Sequence, residues 1–150
     1  MDLRGQWEPL HDRLTAAVGE VIRSGVFILG PNVKAFEEEA AADLGVDHAV
    51  GVANGTDALI LALRAHGIGP GDEVICPAYT FYATPESIAT VGATPVFADI
   101  DADTWNLDPA DVAARTTKRT KAVLAVHQVG LAADLDGLKR SEEHTSEFQS

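Results

Sequence analysis

Several features that mark particular classes of protein are scarce in this sequence. It has one cysteine, Cys76, in 150 residues, so no disulfide framework can form and a reducing compartment is expected. Basic residues number 11 against 23 acidic ones, for a formal net charge of −12. This acidic balance argues against nucleic acid or an anionic membrane as a partner, because both attract basic surfaces.

Long apolar runs are also missing. The N-terminal MDLRGQWEPL has no apolar segment of the kind found in signal peptides, and the apolar runs are too short to cross a bilayer. We therefore expect a cytoplasmic protein. Hydrophobic residues still make up 46% of the chain, which is enough for one folded domain with a core.

Two kinds of periodicity follow one another along the chain. Apolar residues at helical spacing predict helices over about 8–24 and 33–44, with Gly25 and Gly45 as stops. Short apolar runs then alternate with helices. We predict strands at 48–53, 74–77, 94–99 and 121–127, and helices at 57–66 and 86–92, after Asp108-Pro109, and from about 133. This alternation predicts an α/β fold with a mostly parallel sheet.

Helix starts can be read from caps and prolines. We expect Thr84 to cap helix 86–92, with Pro85 as its first residue, and Asp108 with Pro109 to begin the next helix in the same way. The stretch GIGPG at 67–71 has glycines but follows a helix and precedes a strand. It is therefore interpreted as a turn rather than a dinucleotide-binding loop.

In parallel sheets, ligands bind beyond the carboxyl ends of the strands. The segments at those ends are residues 54–56, 77–84, 99–101 and 127–128. The strongest signal among them is ANGTDAL, where Asn54, Gly55 and Thr56 stand between a predicted strand and a helix. Free N–H groups at such a helix start favour an anion, most often phosphate. An ordinary helix cap, by Asn54 or Thr56, explains the same residues.

The other strand ends carry weaker signals. Tyr79, Phe81 and Tyr82 concentrate aromatic side chains in PAYTFYAT, where core packing explains at least one and covering a heteroaromatic ring could explain another. His127 could be catalytic or structural. Asp99 and Asp101 could bind a cation, although capping of their loop is the preferred interpretation, and the five histidines show no zinc spacing. Cys76, inside a strand, is expected to be an inert buried thiol.

In order, the motifs resemble one family. They are G-P-x-V-x-x-F-E from Gly30, N-G-T-D-A-L from Asn54, G-D-E-V-I from Gly71, P-x-x-T-F-x-A-T from Pro77, G-A-T-P-V-F-x-D from Gly92 and V-H-x-x-G from Val126. Over about residues 2–138 the chain resembles the N-terminal half of the DegT/DnrJ/EryC1/StrS aminotransferases, which are fold-type I pyridoxal-phosphate enzymes of amino-sugar synthesis.

The resemblance implies a fold, a cofactor and a reaction. The fold would be the N-terminal part of the large domain, a partial three-layer sandwich. Pyridoxal 5′-phosphate would be the cofactor, with Gly55 and Thr56, beside Asn54, at its phosphate, Phe81 stacked on its ring and His127 lining the site. The reaction would be transamination of a nucleotide-linked keto-sugar, with glutamate or glutamine as amino donor, in a homodimer.

The resemblance also implies that part of the catalytic set is absent. The family's Schiff-base lysine and pyridinium-pairing aspartate belong to segments further along than this sequence reaches. None of the four lysines, Lys34, Lys118, Lys121 and Lys139, has a matching context. No catalytic residue is therefore assigned, and we expect the 150-residue chain to be an inactive fragment.

The last residues, RSEEHTSEFQS at 140–150, resemble the translation of a common sequencing adapter, with Phe148 in place of leucine. We therefore expect residues 1–139 to be native and 140–150 to be a non-native tail. Two alternatives to the aminotransferase stay open. One is a sugar dehydratase of the same family, with histidine at the lysine position, and the other is a non-catalytic α/β anion-binding module.

Overall fold

The computed structural model describes the backbone of residues 2–146 and the side chains of residues 2–140. The chain divides into two compact units, Met1–Gly51 and Val52–Ser150. No helix among the described residues has the length and apolar character needed to cross a membrane.

The first unit is helical. Its elements are α1 (Leu3–Trp7), α2 (His11–Ser24) and α3 (Pro31–Leu44). The prediction of one helix over 8–24 is wrong at its start, because Glu8–Leu10 forms a 3₁₀ turn around Pro9, which has no N–H for an α-helical ladder. The predicted glycine stops are confirmed: Gly25 and Gly45 take left-handed φ values of 68° and 66°.

The second unit contains the sheet. Its elements are α4 (Gly55–Ala65), β1 (Glu73–Pro77), α5 (Ala83–Thr90), β2 (Thr94–Ala98), α6 (Pro109–Arg115), β3 (Thr120–Val123) and α7 (Leu135–Ser146). The three strands are parallel in the order β2-β1-β3. The predicted α/β class with a parallel sheet is confirmed. The strand predicted at 121–127 corresponds to β3, which ends at Val123.

Helices cover both faces of this sheet. On one face, Val74 and Cys76 of β1 pack with Leu63 of α4 and Ile88 of α5. On the other face, Ile75 packs in a cluster that includes Leu107, Val112 of α6 and Leu138 of α7. All residues of β1 are buried. After Glu73, whose carboxylate accepts from Thr117 and Arg119, the strand is the apolar run expected of a parallel sheet. The three-layer arrangement of this unit therefore agrees with the sequence analysis.

The predicted strand at 48–53 is not formed. Residues 48–53 pair with no strand among the described residues, and Val50 is 79% exposed. The N–H of Gly51 donates instead to the carboxylate of Glu37 at 2.7 Å. An apolar run becomes a strand only where a neighbouring backbone pairs with it, and here the side chain of Glu37 takes that place.

The cap prediction at Thr84 is also wrong. Helix α5 begins two residues before Pro85, so Thr84 lies in its first turn, where it is buried. Its hydroxyl is 2.9 Å from the hydroxyl of Thr80, which is the partner it has in place of a helix N–H. The corresponding prediction for the start of α6 is confirmed. Asp108 accepts a hydrogen bond from Ala110 N–H at 2.8 Å, and Pro109 is the first helical residue.

Candidate functional site

The carboxyl edge of the sheet gathers the loops that follow the strands. Backbone pairing continues just past the strand ends, from Ala78 N–H to Ala98 O and from Leu124 N–H to Ile75 O, both at 2.8 Å. Because the strands are parallel, the loops after β1, β2 and β3 leave at the same edge. Phe81, in the loop after β1, and His127, in the loop after β3, therefore follow neighbouring strands.

The start of α4 is capped by Asn54. Its Oδ1 accepts from Asp57 N–H at 2.9 Å, its Nδ2 donates to the Asp57 carboxylate at 3.0 Å, and its carbonyl accepts from Ala58 N–H at 3.1 Å. The capping interpretation of Asn54 is thus confirmed, rather than that of Thr56. Helix α4 begins two residues earlier than predicted, because this cap already holds Gly55 and Thr56 in the first turn.

The cap leaves two donors unused. No described residue accepts a hydrogen bond from the N–H of Gly55 or of Thr56, and a Cβ added at Gly55 would meet no atom within 4 Å. These two N–H groups lie at the positive end of an 11-residue helix. The arrangement fits a phosphate group, which needs several converging donors and room for its oxygens.

The direction of α4 places its N-terminus toward the loops at the carboxyl edge of the sheet. The helix ends at Ala65, and a short turn leads from there to Glu73, the first residue of β1. Its C-terminus is therefore near the amino end of the sheet, so its N-terminus points toward the carboxyl edge. An apolar cavity of about 190 Å³ separates α4 from β3 and is lined by Leu59, Ala62, Leu63, His66, Ile68, Ala122, Val123 and Leu124.

The aromatic residues after β1 are exposed. Phe81 is 80% exposed and Tyr82 72%, while the ring of Tyr79 meets that of Trp105 edge to face at 5.7 Å. The prediction that core packing explains at least one of the three is therefore wrong, since none of them is buried. Phe81 presents a free aromatic face at the carboxyl edge, and such a face can cover a planar ring.

One ring nitrogen of His127 is already hydrogen-bonded within the protein. Its Nδ1 accepts a hydrogen bond from Ala133 N–H at 3.0 Å, so in the neutral ring the proton is on Nε2. The side chain is otherwise exposed, and Nε2–H is therefore a donor that can face a ligand. The next residue, Gln128, gives its backbone N–H to the side chain of Asn106 at 2.9 Å.

Asn106 is the residue that the sequence analysis missed. It is 4% exposed, and its Nδ2 donates to the carbonyls of Leu131 and Ala132, each at 3.2 Å. A single asparagine inside the loop segment WNLDP belongs to no periodic pattern, so the sequence offered no signal for it. The role of Asn106 is visible only in the structure, where the loop after β3 lies against it.

The two aspartates after β2, Asp99 and Asp101, accept hydrogen bonds from the backbone of their own loop. Asp101 Oδ1 accepts from the N–H groups of Asp103 and Thr104 and from the Thr104 hydroxyl. Hydrogen bonds from Thr104 lower the pKa of Asp101. The loop-capping interpretation is confirmed for Asp101, and the described residues contain no group of three His, Cys, Asp or Glu side chains suited to a metal. Cys76 is fully buried, as predicted, and burial raises the pKa of its thiol to about 11.

Comparison with known proteins places these features in a family. The model of the DegT/DnrJ/EryC1/StrS aminotransferase family matches residues 9–146. A UDP-N-acetyl-3-dehydro-alpha-D-glucosamine 3-aminotransferase of Acidithiobacillus ferrooxidans is 49% identical over 138 residues, which are 92% of this chain and 37% of that protein. A dTDP-3-amino-3,4,6-trideoxy-alpha-D-glucose transaminase of Streptomyces venezuelae is 47% identical over 93% of this chain and 37% of its own length.

Solved structures agree with these relatives. DesV of S. venezuelae, crystallised in complex with a ketimine intermediate, superposes with a TM-score of 0.90 at 45% identity, over 97% of this chain and 39% of DesV. NtdA of Bacillus subtilis, solved with the cofactor PMP, superposes with a TM-score of 0.85 at 31% identity, over 90% of this chain and 31% of NtdA. The chain thus spans well under half the length of the proteins it matches.

Proposed function

This chain belongs to the DegT/DnrJ/EryC1/StrS aminotransferase family, and from that membership we propose that the whole protein is a pyridoxal-phosphate-dependent aminotransferase acting on a nucleotide-linked keto-sugar. The observation that carries the proposal is the start of α4, where two backbone donors are unused beside open space. The names of the two relatives, which specify nucleotide sugars, support the substrate class.

In the proposed site each residue has a binding task. The N–H groups of Gly55 and Thr56 hold the phosphate, and the Thr56 hydroxyl adds a third donor. Asn54 keeps the helix start open by capping from one side. Phe81, whose ring is exposed, would cover one face of the pyridine ring, and His127, whose Nδ1 already accepts from Ala133, would offer its Nε2–H to the ligand. When bound, the cofactor supplies an electron sink for moving an amino group.

The catalytic lysine and the acid that pairs with the pyridinium nitrogen are proposed to lie outside these 150 residues. Lys34 is on α3, where it forms an exposed ion pair with Glu38 at 3.7 Å. None of the four lysines has the family's sequence context. We therefore propose that the 150-residue chain is inactive alone, and that the whole protein is a homodimer using glutamate or glutamine as amino donor. A cytoplasmic location stays a prediction.

The domain division is part of the same proposal. Residues 1–139 would form the beginning of the large domain, and residues 140–150 a non-native tail, whose side chains from 141 onward lie outside the described residues. Reading the genomic DNA across codons 138–150 tests both points. A frame that continues into a downstream lysine supports the aminotransferase, a histidine at that position supports the dehydratase, and a stop after Ser150 supports the anion-binding module.

Phosphate recognition can be tested directly on the whole protein. We expect pyridoxal phosphate to bind, inorganic phosphate to compete with it, and pyridoxal without phosphate to bind at least about tenfold more weakly, because it leaves the α4 donors unused. Equal affinity for the two pyridoxal compounds would refute the phosphate site. Borohydride treatment of the 150-residue chain with the cofactor should give no adduct at a single lysine, and one specific adduct would disprove inactivity.

A further inference from the structure

The loop after β3 is held in an unfavourable backbone conformation. Within it, Val129 has φ 52° and Gly130 has φ 86°. Glycine takes such values freely, but a β-branched residue there is strained, because its Cβ crowds the backbone. Val129 is 88% exposed, so no burial of its side chain compensates the strain. The conformation must therefore be maintained by contacts of the neighbouring backbone.

Asn106 supplies those contacts from the loop after β2. Its Oδ1 accepts from Gln128 N–H at 2.9 Å, and its Nδ2 donates to the carbonyls of Leu131 and Ala132. These three bonds, which we name the Asn106 clamp, fasten the loop on both sides of Val129. The amide uses both donors and its acceptor, and the residue is 4% exposed, so the clamp is protected from competing water.

The loop held by the clamp also orients His127. Ala133 N–H, one residue beyond the clamped carbonyl of Ala132, donates to His127 Nδ1. The N–H of Gly130 donates to the carbonyl of His127 at 3.1 Å, which closes the turn. Releasing the clamp would therefore free the donor that selects the ring tautomer of His127.

We propose that Asn106 is a positioning residue, which holds His127 at the carboxyl edge with its Nε2–H presented to the bound cofactor or substrate. This inference rests on the proposed function, because it assigns His127 to that site. The loop after β2 carries none of the residues assigned to the cofactor, yet it reaches the neighbouring loops through Trp105, which meets Tyr79, and through Asn106.

The test compares the whole protein with its Asn106→Asp variant, which keeps the acceptor and the size but loses both donors. Asn32→Asp makes the same chemical change at an exposed position of α3 and is the control. Nitrogen-15 NMR reports the His127 tautomer, and amide exchange reports Gln128 and Ala133. We expect the wild type and control to show a single Nε2–H tautomer, and Asn106→Asp to show a mixture with roughly tenfold faster exchange at both amides.

Cofactor binding supplies the functional readout. We expect Asn106→Asp to bind pyridoxal phosphate about five- to tenfold more weakly, with a larger change in kcat than in KM. If the variant binds with wild-type affinity and turns over normally although its tautomer is mixed, the positioning role is overturned and the proposed function stands. Absence of cofactor binding in the wild type would overturn both. If Asn106→Asp fails to fold, unprotected Gln128 and Ala133 amides in the wild type would still overturn the clamp, and protected ones with a single His127 tautomer would support it.

Discussion

Helices α4 and α6, which cover opposite faces of the sheet, begin with the same kind of cap but leave different groups exposed. In α4, Asn54 accepts from Asp57 N–H at 2.9 Å, and the N–H groups of Gly55 and Thr56 remain unused among the described residues. The cap itself adds no charge, and the one carboxylate in the first turn, Asp57, accepts from the Asn54 amide at 3.0 Å, so the two unused N–H groups stay available to an anion.

In α6 the helix start already carries two carboxylates, those of Asp108 and Asp111. The cap is a carboxylate, Asp108, and Pro109 follows it without an N–H to offer. Asp111, in the first turn, bonds Arg115 at 2.6 Å and accepts from Asp99 N–H, and the bond from Arg115 is the main reason why the pKa of Asp111 is lowered. The comparison teaches that a capped helix start becomes a candidate anion site only when the cap is neutral and the next residues keep their donors.

The largest expected effect is on stability, when a side chain that anchors α4 to the sheet is shortened. Leu63 is buried against the sheet, and Leu63→Ala should lower the free energy of unfolding by about 2–5 kcal/mol, because it leaves a cavity. The volume-conserving control Leu63→Met should cost less than about 1.5 kcal/mol. Chemical denaturation measures both, and equal stability of the two variants would show that α4 is not anchored through this residue.

The buried thiol gives an independent readout of the same contact. Burial raises the pKa of Cys76 from 9.0 to about 11, so the folded protein loses stability as pH rises from 9 toward 11, where the unfolded thiol ionises first. Leu63→Ala should expose Cys76 and speed its alkylation at pH 8, while Leu63→Met should not. Unchanged labelling in Leu63→Ala would mean that α4 does not shield this strand.

Exchanging the caps tests the charge argument. Asn54→Asp places a carboxylate at the α4 start, and we expect pyridoxal phosphate to bind about 10- to 100-fold more weakly, because like charges then meet. The reciprocal variant Asp108→Asn, at the cap of α6, should leave cofactor affinity unchanged. Circular dichroism should show both proteins folded, since either residue caps a helix well. Equal cofactor affinity in Asn54→Asp and the wild type would remove α4 as the phosphate site.

The hydroxyl of Thr56 should contribute less than the cap charge. Thr56→Val keeps the shape of the side chain but loses its donor, and we expect cofactor affinity to fall about three- to tenfold. Thr56→Ser retains the hydroxyl and should bind nearly as the wild type does. A serine variant as weak as the valine variant would indicate that packing, and not the hydroxyl, accounts for the loss.

An effect of about the same size as that of Thr56→Val is expected at Phe81. If its exposed ring covers the pyridine ring, Phe81→Ala should weaken cofactor binding by about 0.5–1.5 kcal/mol beyond lost burial. Tyr82→Ala, at the neighbouring exposed aromatic residue, is the matched control and should change affinity little. A fluorescence titration of both variants decides between them, and a greater loss in Tyr82→Ala would reassign the stacking residue.

Local sequence determined much of this protein. The glycine stops after α2 and α3, the Asp108-Pro109 start of α6 and the alternation of short apolar runs with helices all depend on preferences within a few residues. The capped helix start at Asn54 is equally local, because its bonds reach only three or four residues along the chain. These features could therefore be predicted without any knowledge of distant contacts.

Tertiary structure decided the rest. Whether 48–53 becomes a strand depends on a pairing partner, and whether Asn106 matters depends on a loop more than twenty residues away. Likewise, the resemblance suggested Phe81 and His127, but only the parallel order β2-β1-β3 brings the loops that carry them to one edge. The physical reason is that hydrogen bonding and strand pairing between distant segments depend on chain topology, which local preferences do not encode.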